Sequence, residues 1–306
     1  AWIFKPDGSF EWSQTHAQAP FAYLLSDEVI RIFFSTRNES SHSSTSFVDV
    51  NRKDPTQIIR VHDSAVLEKG ARGSFDDSGT MPSWFVDHDE KLLLYYTAWN
   101  RSDEASYRLS IGLAASTDNG ETFTKMFPGP ILDRAAFDPI WVGQPCVLKE
   151  SGKWKMWYLC CEKIEMIENH PEPFYNVKYA ESQDGINWVR NNNVCIGFED
   201  GVTDAIGRPA VWKYMGKYWM MHSNRSALGY RNDHTKSYQL QLSSSEDGIH
   251  WVNRNLLVPK SGGEEWDGKM NEYTSVVPAE EDGKFLVFYN GNGFGQSGFG
   301  YGVLDL

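Results

Sequence analysis

One pattern recurs along the chain at almost constant spacing, and it restricts the fold more than any other feature. Its clearest copy runs Phe137-Asp138-Pro139-Ile140-Trp141-Val142-Gly143-Gln144-Pro145-Cys146-Val147, turns at Ser151-Gly152 and continues Lys153-Trp154-Lys155-Met156-Trp157-Tyr158. Aromatic and β-branched residues suit a buried sheet and glycine suits the reversal, so the stretch reads as two strands and a tight turn. Similar copies begin near Asp77 to Pro82, Asp204 to Pro209 and Asp267 to Thr274, with a degenerate one at His16 to Pro20. Setting Pro20, Pro82, Pro145, Pro209 and Thr274 in one column gives steps of 62 to 65 residues. Units of this size cannot bury their own faces and must stack, so residues 1–306 read as a single repeat domain.

Within each copy the second strand is plainest: Val29 to Phe34, Lys91 to Tyr96, Lys153 to Tyr158, Lys217 to Met221 and Lys284 to Tyr289. Third strands follow near Thr45 to Val50, Leu109 to Ala115, Asn176 to Ala180, Ser237 to Ser243 and Gly298 to Leu304. No stretch carries a helical period of useful length, so the expected class is all-β and antiparallel. The last copy stops at Val303-Leu304 without a fourth strand, while Trp2-Ile3-Phe4 precedes the first. The N-terminal run is therefore expected to supply the missing outer strand and close the ring, which protects edges that would otherwise stay open.

Three copies end on a shared turn: Ser116-Thr117-Asp118-Asn119-Gly120, Ser182-Gln183-Asp184-Gly185 and Ser245-Glu246-Asp247-Gly248, each followed by an aromatic residue. The Ser and Asp side chains can tie down the turn backbone while Gly takes positive φ, so these aspartates read as structural.

The net charge of −12, with no basic cluster, disfavours nucleic acid and anionic membranes as partners and favours a neutral or cationic ligand. Cys146, Cys160, Cys161 and Cys195 form no spaced metal pair and read as buried reduced thiols. No apolar run reaches membrane-spanning length, and neither a secretory signal nor a disulfide pattern is visible, so a cytoplasmic location is expected over a secreted one. A monomer or weak homo-oligomer is expected.

Strand pairs opening on x-x-Pro, second strands opening on Gly-Lys-aromatic and the Ser-x-Asp-Gly-x-x-Trp turns resemble the five-bladed β-propellers of glycoside hydrolase families 32 and 43. The resemblance spans nearly the whole chain and implies a single five-bladed β-propeller of four-stranded antiparallel blades, with a carbohydrate as substrate or ligand. It also implies three carboxylates on first strands: an Asp before the column Pro in one blade, another Asp-Pro two blades on, and a Glu two residues before Pro in the next. Those positions here hold Ala19, Gln144 and Gly207. The usual triad is absent from its usual places.

First strands of a propeller line its central channel, which brings other residues to the mouth. Glycoside hydrolysis needs a protonated acid for the leaving oxygen and a carboxylate that attacks or activates water. Glu272, two residues before the column, is the expected general acid, Asp77 the base and Asp204 its partner or pKa tuner. Substrate contacts are expected from His16, Gln18, Trp84, Asp138, Trp141, Gln144, Arg208 and Tyr273, with Arg208 holding an anionic group or orienting a carboxylate.

The pairs Phe75-Asp76, Phe137-Asp138 and Trp266-Asp267 repeat, which argues that these aspartates brace strand starts. Loops joining second to third strands are expected to crowd the mouth: Asn38 to Ser44, Trp99 to Tyr107, Glu162 to Phe174, Asn224 to Thr235 and Asn290 to Ser297. The acids of the third fit no metal spacing, no cofactor is implied, and a channel calcium would need oxygen ligands that the sequence does not place. The substituted triad leaves two further readings beside a hydrolase: a non-hydrolytic sugar-binding propeller in which Trp84, Trp141 and Tyr273 stack the ligand, and a transferase or lyase acting on a glycan.

Overall fold

The computed structural model describes residues 1–198, 203–257 and 265–306. Runs such as Leu92-Leu93-Leu94-Tyr95-Tyr96 are apolar on both faces and buried on both, the mark of a strand sandwiched between layers. In chain order the strands are β1 (Trp2–Phe4), β2 (Thr15–Leu24), β3 (Val29–Arg37), β4 (Ser43–Asn51), β5 (Ile58–Val61), β6 (Gly79–His88), β7 (Lys91–Ser102), β8 (Ser106–Ser116) and β9 (Thr124–Lys125). They continue as β10 (Trp141–Glu150), β11 (Lys153–Ile167), β12 (His170–Ser182), β13 (Trp188–Ile196), β14 (Ala205–Tyr214), β15 (Lys217–Arg225), β16 (Gln239–Ser245), β17 (Val252–Leu257), β18 (Glu272–Pro278), β19 (Lys284–Asn290) and β20 (Phe299–Asp305). The second strand of every copy starts where the repeat places it.

Among the described residues the antiparallel pairing sorts these strands into groups of four. The groups are β2 to β5, β6 to β9, β10 to β13, β14 to β17, and β18 to β20 completed by β1. The first and second groups are linked by a parallel pair at Ser43 and Gly79, the third and fourth by one at Tyr175 and Ala205. The expected pairing of the N-terminal run is present, with Trp2 opposite Gly300 and Phe4 opposite Phe299. Ile3 is buried in an apolar cluster that joins this last group to the first through Phe34, Val48, Phe288 and Phe299. Two side chains bind the same pair of groups together: Ser275 Oγ accepts the Ala22 amide at 2.9 Å and Asn290 Oδ1 accepts the Ala19 amide at 2.9 Å.

Neighbouring groups are also fastened by the repeated turns. Ser182 Oγ accepts the Gly185 amide at 2.9 Å and Asp184 Oδ1 accepts that of Asn187 at 2.8 Å; Ser245 and Asp247 do the same for Gly248 and His250. The turn carbonyls then receive side chains from the preceding group: Tyr95 Oη donates to Gly185 at 2.9 Å, and Trp157 Nε1 to Gly248 at 2.7 Å. Gly185 has φ +74°, and a Cβ there would lie 2.7 Å from Tyr95 Oη, so both turn and contact require glycine.

The stretches Trp99 to Tyr107 and Glu162 to Phe174, expected as loops, are instead long hairpin arms. The first pairs out to Ser102 opposite Ser106, and the second to Ile167 opposite His170. Glu168 and Asn169 both take positive φ, the two-residue reversal whose twist matches paired strands. The four cysteines are free thiols. Among the described residues no helix is long and apolar enough to cross a membrane.

Candidate active site

The first strands carry a register break in every group, at Gln18/Phe21, Pro82/Trp84, Gly143/Cys146, Gly207/Ala210 and Glu272/Ser275. A bulge kinks a strand and re-aims its side chains. At the column, Ala19, Gln144, Arg208 and Tyr273 take left-handed backbone, with φ of 55°, 46°, 29° and 56°. Such conformations cost about 1–3 kcal/mol each for residues with a Cβ, so the surrounding sheets must hold them in place.

The bulges open under a cavity of about 370 Å³ to which every group contributes. From first strands come Gln18, Met81, Gln144 and Tyr273. Arg37, Trp99 and Arg225 reach it from the ends of second strands, while Tyr107, Tyr175 and Tyr238 reach it from third strands or just before them. The remaining wall includes Tyr230 and Arg231, from the segment between β15 and β16, together with His170 and Phe294. The tyrosines pack into a continuous panel: Tyr238 lies 6.1 Å from Tyr273 and 6.3 Å from Tyr230, and the Arg225 guanidinium sits 4.0 Å over the Tyr230 ring. Among the described residues three arginines and no carboxylate line the cavity. The net charge of −12 from which a neutral or cationic ligand was expected is therefore not the local charge of this wall.

Glu272 is fully buried directly behind Tyr273. Asn290 Nδ2 donates to its Oε1 at 3.1 Å, while Oε2 has no hydrogen-bond partner among the described residues. Burial pushes its pKa up to about 8, against smaller opposing pulls from Asn290, Arg225 and Arg37. A carboxyl so placed keeps its proton at neutral pH and can donate it.

The other expected acids have different surroundings. Asp77 is half-buried outside the cavity, with Oδ2 accepting the Gly73 amide at 3.0 Å and Oδ1 the Ser78 hydroxyl at 3.0 Å. Asp204 Oδ2 accepts the Ala227 amide at 2.7 Å and likewise stands outside the lining. The structure does not gather Asp77 and Asp204 with Glu272 in the cavity wall.

Among the expected substrate contacts, Gln18, Gln144 and Tyr273 line the cavity. Trp141 stands one layer back, supporting Tyr107 and Tyr175 at ring distances of 6.0 and 5.2 Å. Trp84 is packed edge-on against Phe21 at 5.0 Å in the apolar core, where it cannot stack on a ligand. Asp138 is consumed internally by Lys178 at 3.4 Å, Arg190 at 2.8 Å and the Tyr158 hydroxyl. That hydroxyl contact repeats: Tyr96 donates to Asp76 at 3.2 Å and Tyr289 to Asp267 at 2.7 Å, the bracing expected of the aromatic-Asp pairs. Arg208 lies below the cavity at 1% exposure, donating through Nη2 to the Ser83 carbonyl at 3.1 Å, and burial lowers its pKa to about 9. His16 shares a hydrogen bond with Thr15 Oγ1 at 2.8 Å; burial and the Arg37 charge bring its pKa to about 4, which keeps it neutral.

Among the described residues no three His, Cys, Asp or Glu side chains converge as metal ligands. The cavity residues that sequence reasoning missed are Arg37, Arg225, Arg231 and the tyrosines of the third-strand side. Of these, Tyr107, Arg225 and Arg231 fall within the loops Trp99 to Tyr107 and Asn224 to Thr235 that were expected to crowd the mouth, while Arg37, Tyr175 and Tyr238 lie just outside the expected loops.

The all-β fold is shared with glycoside hydrolases. The structure of BT0996 in an RGII complex superposes with a TM-score of 0.75 at 14% identity, over 99% of this chain and 89% of the other. A thermostable family-43 glycoside hydrolase gives 0.66 at 14% identity, over 99% and 92%. An α-L-arabinofuranosidase from Lactobacillus brevis gives 0.68 at 12% identity, over 95% and 90%. No family model matches the sequence. The protein belongs to the family of the uncharacterized proteins MT1551 and Rv1502 of Mycobacterium tuberculosis, strains CDC 1551 / Oshkosh and ATCC 25618 / H37Rv. It is 30% identical to each over 305 residues, covering 99% of this chain and 97% of the relative.

Proposed function

We propose that the protein is a five-bladed β-propeller, closed by β1 in the last blade, and that it acts on the end of a glycan or a small glycoside in the cavity at its centre. The packing of the last group on the first and the contribution of every group to one cavity support the closed ring. The neighbours of similar fold are glycoside hydrolases, and one similar structure is an RGII complex. The observation that carries the chemical reading is Glu272, a buried carboxyl with a raised pKa whose Oε2 has no hydrogen-bond partner among the described residues. It is assigned the general acid of glycosidic bond cleavage: its proton passes to the leaving oxygen as the anomeric C–O bond breaks, water adds to the anomeric carbon, and the proton that water sheds restores the Glu272 carboxyl. Asp77 and Asp204 are assigned to bracing their loops.

A second reading draws on the cavity lining, which among the described residues holds no carboxylate: without a base, the same site binds sugar and does not cleave it. Turnover of a panel of aryl furanosides and pyranosides, measured beside sugar binding, separates the two. Aglycone release by the wild type and its loss in Glu272→Gln supports the enzyme. Binding without release, unchanged in Glu272→Gln, leaves a lectin-like propeller.

A further inference from the structure

The charge balance around the cavity does not close. Arg225 is spent on its surroundings, donating to the Tyr238 hydroxyl at 3.2 Å and to the carbonyls of Ser226 and Pro173 at 3.0 and 3.2 Å. Glu172, buried behind the wall, pairs with Arg231 through Nη1 and lies 3.7 Å from Arg225, so one carboxylate faces two guanidiniums. His170 Nδ1 shares that same carboxylate at 3.1 Å. Arg37 has less: one hydrogen bond, from Nη2 to Gln18 Oε1 at 3.2 Å, and no ion pair among the described residues. The one carboxyl that acts on it among the described residues, Glu272, is held in the neutral form by burial, and the Arg37 pKa is itself pulled down by desolvation. Arg37 is half-buried and none of its donors is a buried atom without a partner, so its unused donors face the open cavity, where a guanidinium fork can receive an anion.

We infer that the cavity takes a saccharide bearing an anionic oxygen group, a uronate carboxylate or a sugar phosphate, received by Arg37 and Arg231 while Tyr230 and Tyr273 flank the ring. Both arginines line the same space, and the guanidinium fork suits either group. Arg231 lies 4.4 Å over the Tyr230 ring, which fixes its plane while leaving part of its fork unspent. The inference rests on the carbohydrate reading above and names its substrate class.

The test is calorimetry on the full-length protein with glucuronate, galacturonate and glucose 1-phosphate, each against glucose or galactose and against inorganic phosphate. At least one anionic sugar should bind about ten-fold or more tightly than its neutral parent, and that preference should fall about ten-fold in Arg37→Gln. Which of the three binds distinguishes carboxylate from phosphate. Arg231→Gln should lower the same preference; because it takes an ion-pair partner from the buried Glu172, which keeps His170 and Arg225 nearby, circular dichroism checks that both variants fold. Neutral sugars binding as tightly as charged ones would overturn the inference. So would inorganic phosphate matching the sugar phosphate, or no probe binding at all. Failure of the hydrolytic reading looks different: anionic sugars bind through Arg37 while no glycoside is cleaved. Cleavage of neutral glycosides, together with a charged-over-neutral preference that Arg37→Gln leaves unchanged, would instead sink the anion site alone.

Discussion

Replacing Glu272 by glutamine should make the protein more stable, by an amount that grows with pH. The wild-type carboxyl is fully buried with a pKa near 8 against an ordinary value of 4.5, because burial disfavours its charged form. The unfolded protein releases this proton near 4.5 and the folded protein only near 8, so between those limits the folded state binds more protons and stability falls as pH rises. Below about 4.5 the carboxyl contributes no such penalty; by pH 7 the penalty is about 3 kcal/mol, and it reaches about 5 kcal/mol above pH 8. Glutamine cannot titrate and keeps the acceptor that Asn290 uses. Urea unfolding of both proteins from about pH 4.5 to 8 measures the difference, which should widen by about 1.4 kcal/mol per pH unit. A constant offset carries only the packing effect of the amide. A difference that stays flat across the range would show that Glu272 ionises normally, and the acid role would fall with it.

Ile3→Ala should cost about 2–5 kcal/mol, because it opens a cavity in the apolar cluster shared by the last group and the first; thermal unfolding reads it, and a loss below about 1 kcal/mol would count against the proposed closure by β1. Gly185→Ala should cost about 1–3 kcal/mol from its φ of +74° and the 2.7 Å approach to Tyr95, and should leave sugar affinity unchanged in calorimetry. Asp138→Ala should destabilise by about 1–3 kcal/mol, since Lys178 keeps Glu162 at 2.7 Å while Arg190 and the buried Tyr158 hydroxyl lose their acceptor, and any folded fraction keeps its ligand affinity; a selective loss of binding would return Asp138 to the site.

The repeat made most of the fold legible. A column of four prolines and Thr274 marks the first strand of each copy, and Lys91, Lys153, Lys217 and Lys284 each open a second strand where the spacing puts them. The bracing roles of Asp76 and Asp138 were visible because they recur in register, and recurrence is what structural roles share. The cavity wall was less visible for the same reason. Arg37, Arg225 and Tyr107 belong to hairpin arms whose lengths differ between groups, so no column aligns them. A net charge of −12 averages over the whole surface and conceals a local excess of guanidinium. Trp84 misled because strand alternation after a bulge cannot be counted from the sequence, and the bulge at Pro82/Trp84 turns that ring into the core.

Whether Glu272 delivers a proton to a leaving oxygen is tested most directly by aryl glycosides of unequal leaving groups. For phenyl glycosides, whose departing oxygen needs protonation, Glu272→Gln should lower kcat/KM by about 10²–10⁴, whereas dinitrophenyl glycosides, which leave unaided, should be cleaved almost as fast as by the wild type. An equal loss on both, or release of neither by a wild-type protein that still binds the sugar, would contradict it.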